Sequence, residues 1–176
     1  VSLDAADAEN DNIAIGYAAL GGAIDGGETN IAIGNYSMDA LTSGDANTAV
    51  GYGSLGRQTT GNDNTAFGYN SLSASTTGFK NTAIGYQTGD ALTTGEKNVA
   101  IGYNALETVV ATNNNTSLGI NSGSGLIVGN ANTFLGATTS TANNVSNSTA
   151  IGYGAAITGS NQIIMGTSTE TTVIMG

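Results

Sequence analysis

Tyrosine follows glycine at Tyr17, Tyr52, Tyr69, Tyr86, Tyr103 and Tyr153, at intervals that are mostly multiples of one short period. A stripe of phenol rings has two uses. Exposed, the rings can stack against sugars; inside a coil or between chains they are core, and packing is the favoured reading. Tyr52, Tyr69, Tyr86 and Tyr103 are the candidate receptor contacts, together with Phe79, an aromatic ring beside Lys80. Adjacent threonines at Thr59-Thr60, Thr76-Thr77 and Thr93-Thr94 repeat as a hydroxyl array. Ice-binding proteins display regular threonines too, but these pairs are adjacent and abut a glycine turn, without a Thr-x-Thr strand. Carboxylates recur near turns at Asp39 and Asp90, and at Asp45, Asp63 and Glu96. Paired acids can hydrolyse glycosides, yet turn acids more commonly cap backbone N–H groups and keep a rod soluble. Histidine and cysteine are absent, so a nucleophile–base pair has no base and no thiol. The acids Asp4, Asp7, Glu9 and Asp11 fit neither an EF-hand nor the glycine-rich calcium coil. The glycines do not form a phosphate loop. The expectation is therefore no enzyme, no catalytic residue, no metal and no cofactor.

The element that positions these residues is a phrase, Asn81-Thr82-Ala83-Ile84-Gly85-Tyr86, with close copies beginning at Asn47, Asn64 and Asn98. Weaker copies begin at Asn12, Asn30, Asn115 and Asn132. Its glycine falls at Gly16, Gly34, Gly51, Gly68, Gly85, Gly102, Gly119, Gly136, Gly152 and Gly166, giving intervals of 18, six of 17, then 16 and 14. A fixed short period over most of a chain means a repeat architecture. Within the phrase, Thr82, Ile84 and Tyr86 alternate with Asn81, Ala83 and Gly85, as on a strand. The structural repeat is carried by Asn47, Ala49, Gly51, Asn64, Ala66, Gly68, Asn81, Ala83, Gly85, Asn98, Ala100 and Gly102. The asparagine column is read as structural, its amides hydrogen-bonding from rung to rung.

After the glycine an apolar step follows at Leu20, Met38, Leu55, Leu72 and Leu106, and a Thr-Thr-Gly turn closes the unit. Glycine in that turn is expected to supply a positive φ. Two short strands and two turns then make one rung, and about ten rungs make an all-β parallel solenoid near 50 Å long. A helical solenoid is unsupported, because no unit holds a 3.6-periodic run of helix formers. The small Asn, Ala and Gly face is expected to admit another backbone, so the thin coil should associate laterally as a cyclic homo-oligomer. The chain divides into an end or partial coil at 1–11, regular repeats at 12–136, and degenerate repeats with a cap or junction at 137–176.

Thirteen acids against three bases give a net charge of −10. That argues against nucleic-acid binding, which needs basic patches. No apolar run approaches the roughly 18 residues of a spanning helix, so this segment is not expected to insert in a membrane. Charged residues are 9% of the chain. The register of β-branched and aromatic residues nonetheless argues against disorder. Absence of cysteine fits an extracellular protein stabilised by packing.

The phrase resembles the Asn-Ser-Val-Ala-Ile-Gly repeat in the head domains of trimeric autotransporter adhesins, with Lys80-Asn81-Thr82-Ala83-Ile84-Gly85 in its place. The likeness spans residues 12–152; Thr82 stands where that family has valine, and the period is longer. It implies a left-handed parallel β-roll, three chains side by side, and an extracellular adhesive role. The stretch Gly159–Gly166 with Val173-Ile174-Met175-Gly176 is similar to the region preceding the endosialidase-type intramolecular chaperone of phage tail fibres. That chaperone is absent here, as in a processed product or trimmed chain. The combined expectation is a homotrimeric fibre segment at a cell surface or on a virion, presenting a multivalent face to a host receptor or glycan. An ice- or surface-binding solenoid is the alternative, with a phage-spike polysaccharide depolymerase behind it.

Overall fold

The computed structural model describes residues 11–142 and 144–167. Asp4, Asp7 and Glu9, and the stretch Val173 to Gly176, lie outside the described residues. The chain is an all-β parallel solenoid of about nine turns, with no helix among the described residues. Its strands are β1 (Ile13–Ile15), β2 (Ile31–Ile33), β3 (Thr48–Val50), β4 (Thr65–Phe67), β5 (Thr82–Ile84), β6 (Val99–Ile101), β7 (Thr116–Leu118), β8 (Thr133–Leu135), β9 (Ser140–Thr141), β10 (Thr149–Ile151), β11 (Ala156–Ile157) and β12 (Ile163–Met165). One ten-stranded parallel sheet runs β1 to β8, then β10 and β12. Its register follows the sequence phrase: Ala32, Ala49, Ala66, Ala83 and Ala100 are successive partners.

The rung has one strand where two were expected. From the phrase glycine onward the chain leaves β geometry: Asn70 and Leu72 have φ of 51°, and their equivalents along the rod are likewise left-handed, from 48° at Met38 and Gln87 to 73° at Gly123. These left-handed residues cost roughly 1–2 kcal/mol each when they are not glycine. In return they turn a leucine or methionine inward at most steps, with glycine in the same place at Gly89 and Gly123. Leu20, Met38, Leu55, Leu72 and Leu106 are buried, and each such burial is worth about 1.5–3 kcal/mol. The second wall is stitched across rungs without strands, by Leu55 N–H to Ser71 C=O at 3.0 Å and Asn70 N–H to Tyr52 C=O at 2.9 Å, for example. A paired strand forms there only late, as β9 against β11, where the period has shortened.

The small face also goes elsewhere than expected. Asn, Ala and Gly point into the coil, so the backbone they admit is the chain's own. Ala49, Ala66 and Ala83 are buried with the inward leucines and a further column of Leu41, Leu92, Val109 and Leu126, which buried Gln58 and Ser75 interrupt. The one large ring in the alanine column, Phe134, is fully buried, and the rung before it has Gly123 at the leucine position. A Cβ on Gly123 would lie 3.1 Å from the Phe134 ring and 2.7 Å from Leu106. A leucine–alanine pair has thus become a glycine–phenylalanine pair at nearly conserved volume.

Candidate functional site

Inside the coil, the asparagine column is a hydrogen-bonded ladder. Asn81 donates its side-chain amide to Asn64 Oδ1 at 3.2 Å and to the Gly95 carbonyl at 2.8 Å, while its backbone N–H donates to Asn64 Oδ1 at 3.0 Å. Asn98 repeats this on Asn81. Asn47 and Asn64 do the same on the rungs before them, closing on Gly61 and Gly78. Each amide therefore ties two rungs and closes the turn of its own unit, Thr-Thr-Gly for Asn47, Asn64 and Asn81 and the Thr112 carbonyl for Asn98. The ladder is buried and satisfied, which leaves it no ligand to bind.

The two glycine columns act differently. Gly51, Gly68, Gly85 and Gly102 end the strands with φ between 131° and 140°. A Cβ on Gly51 would sit 2.3 Å from the Gly68 carbonyl oxygen of the next rung. The turn glycines do not have positive φ, contrary to expectation. Gly61 is required by crowding instead: its Cβ would fall 1.7 Å from Gln58 Nε2 and 2.0 Å from the Gly78 carbonyl oxygen. The positive φ is carried one residue before each asparagine, at Asp63, Lys80 and Lys97.

Outward, three columns share the sheet face. The first has Thr48, Thr65, Thr82, Val99, Thr116 and Thr133; the second has Ile15, Val50, Phe67, Ile84, Ile101, Leu118 and Leu135. In the second, Ile15 is 59% and Phe67 54% exposed. No strand of the sheet contains a charged residue. The tyrosines form the third column, at the turn leaving each strand. Tyr52, Tyr69, Tyr86 and Tyr103 stack with centroids 5.2–5.3 Å apart and planes within 11°. Within the chain they are exposed rather than core. Their faces cover one another, so the stripe presents ring edges and hydroxyls, and sugars cannot lie flat along it. Tyr36 belongs to the column and was missed, because Asn35 offsets it by one residue from its glycine. It meets Tyr17 and Tyr52 edge-on, at 76° and 71°.

Phe79 lies apart from the tyrosines, at the turn entering its strand. Lys80 Nζ and Lys97 Nζ sit 5.9 and 5.7 Å from its ring centroid, and Lys97 pairs with Glu96 at 3.8 Å. The threonine array is partly committed to the backbone. Thr42, Thr59, Thr76 and Thr93 each donate a hydroxyl to a carbonyl on the next rung, at 2.9 to 3.3 Å. Thr60, Thr77 and Thr94 remain exposed at the tips.

The acids among the described residues lie in turns, off the sheet face. Asp45 Oδ1 accepts the Glu28 N–H at 2.9 Å, a capping contact. Asp39 and Asp90 are three rungs apart, about 14 Å at strand spacing, which is wider than the about 5–9.5 Å of glycosidase carboxyl pairs. Ser73 Oγ donates to Asp90 Oδ1. Among the described residues no cluster of acids could hold a metal ion.

Comparison of the chain with protein-family models, curated proteins and solved structures finds no match.

Proposed function

We propose that this chain is a non-enzymatic structural and adhesive fibre segment, of the phage tail-fibre or bacterial surface-adhesin type. In this reading it is a left-handed β-roll whose outer sheet faces pack together in an extracellular homotrimer. The trimer presents three copies of the turn surface to a host receptor or glycan, and weak contacts add through effective concentration.

The supporting observation is the outer sheet face itself. Ten strands at about 4.8 Å by a width of about 10 Å give on the order of 450 Å² of uncharged threonine and aliphatic surface. That lies within the roughly 300–600 Å² of the largest patch on a typical monomer, a size that is often functional. Three such faces bring together about 1,300 Å² in total, shared among the three pairwise contacts. The partner is argued to be another copy because the face is free of charge in a chain of net charge −10. Two copies can meet there without like-charge repulsion, and identical rung spacing lets their side chains interdigitate along the rod.

The test is to place charge on the face. Ile84→Lys with Ile101→Lys leaves the interior untouched, since both side chains point out. Sedimentation velocity should show the trimer of the parent dissociating into monomers, with the β circular-dichroism signal kept. An unchanged sedimentation coefficient for the variant sinks this face as the interface. A second reading, an ice- or surface-binding solenoid, draws on the regular threonine column beside the aliphatic one. It predicts thermal hysteresis by a monomeric parent.

A further inference from the structure

One rung departs from its neighbours at three positions on the second wall. Where the preceding rung has Tyr36, Asp39 and Ala40, and the following has Asn70, Ser73 and Ala74, this rung has Gly53, Gly56 and Arg57. Two side chains are removed and a guanidinium is introduced. The result is an open groove of about 620 Å³ bordered by Tyr36, Tyr52, Asp39, Ser73 and Asp90. Arg57 is exposed in it. The only ion pair among the described residues is Lys97 with Glu96, so the guanidinium has no carboxylate of its own. Asp90 is held in place by Ser73. Tyr36 lies at 71° to Tyr52, out of the parallel stack that begins there.

We propose that this groove binds a saccharide carrying a single carboxylate, a uronic or sialic type of sugar. Arg57 pairs with the carboxylate through two parallel N–H donors. The carboxylates of Asp39 and Asp90 accept sugar hydroxyls, and Tyr36, turned out of the parallel stack, packs against the C–H surface of a ring beside the edge of Tyr52. Each half of the site excludes a competitor. A neutral sugar leaves Arg57 unanswered. A phosphate or sulfate polyanion brings more charge than one guanidinium offsets, beside two aspartates in an acidic rod. All of these groups come from one chain, so the site does not depend on the trimer; the trimer only multiplies it, in keeping with the adhesive role proposed above.

The experiment is an NMR titration of the full chain with 3′-sialyllactose and with a glucuronic-acid tetrasaccharide. Lactose and the methyl ester of the tetrasaccharide serve as neutral counterparts. At least one acidic sugar should bind at millimolar concentration, shifting the Arg57 side-chain resonance, while its neutral counterpart does not. Arg57→Ala should weaken binding by about tenfold or more. Alanine already occupies this place at Ala40, Ala74 and Ala91, so the fold and the sedimentation coefficient should be unchanged. Gly56→Ser, which extends the side chains of its column into the groove, should also weaken binding. The proposal is overturned if neither acidic sugar binds, if the neutral forms bind as well, or if Arg57→Ala binds like the parent. A monomeric parent that still binds through Arg57 would overturn the fibre reading and leave the groove standing.

Discussion

A single buried amide does three jobs in each rung, and its removal should be costly. Asn81→Ala leaves the Gly95 carbonyl and the two donors of Asn98 without their partner. Unsatisfied buried groups cost about 1–3 kcal/mol each, so a loss of about 3 kcal/mol in chemical denaturation is expected. Thr60→Ala, at an exposed tip, should stay within about 0.5 kcal/mol. Ala46 is exposed with φ of 54°. Ala46→Gly should therefore stabilise by about 0.5–1 kcal/mol, the left-handed penalty less the entropy glycine loses on folding; a lower melting temperature would contradict that. The amide ladder was legible in the sequence because a buried polar residue repeated in register has few other fates. The role of Gly61 was not. Crowding by Gln58 and Gly78 is a tertiary fact, and a glycine after two threonines reads first as a turn.

At the scale of the element, the strand was visible and the wall opposite it was not. Alternation in Thr82-Ala83-Ile84 marks a strand wherever it stands. Leu72 at φ 51° leaves no such mark, since nothing local distinguishes a leucine in a left-handed turn from one in a second strand. The same blindness misassigned the small face, which closes on its own coil. Which face lay inside depended on the unseen wall. Compensation between columns is testable here. Phe134→Ala should open a cavity and cost about 3–5 kcal/mol. Gly123→Leu alone should clash with the Phe134 ring and also destabilise. Combined, they restore the leucine–alanine pair found at Leu55 with Ala66 and at Leu72 with Ala83, and the double variant should be more stable than Phe134→Ala alone. Additive losses would show that the two positions do not share one space.

On the scale of the whole molecule, charge and apolarity are sorted onto different surfaces. Among the described residues, acids sit in the turns, the sheet face has none, and the tyrosine stack runs along the edge between them. A period repeated over the chain was enough to read the solenoid, its parallel pairing and its number of turns. The groove beside Arg57 was not legible, because it comes from what one rung lacks relative to its neighbours in space. The measurement that tests the account most directly is the solution mass by light scattering over a dilution series. The account predicts a mass of three times the 17.3 kDa chain, held on dilution. A mass of one chain at all concentrations would contradict it: the sheet face would then be free, and surface binding would become its function.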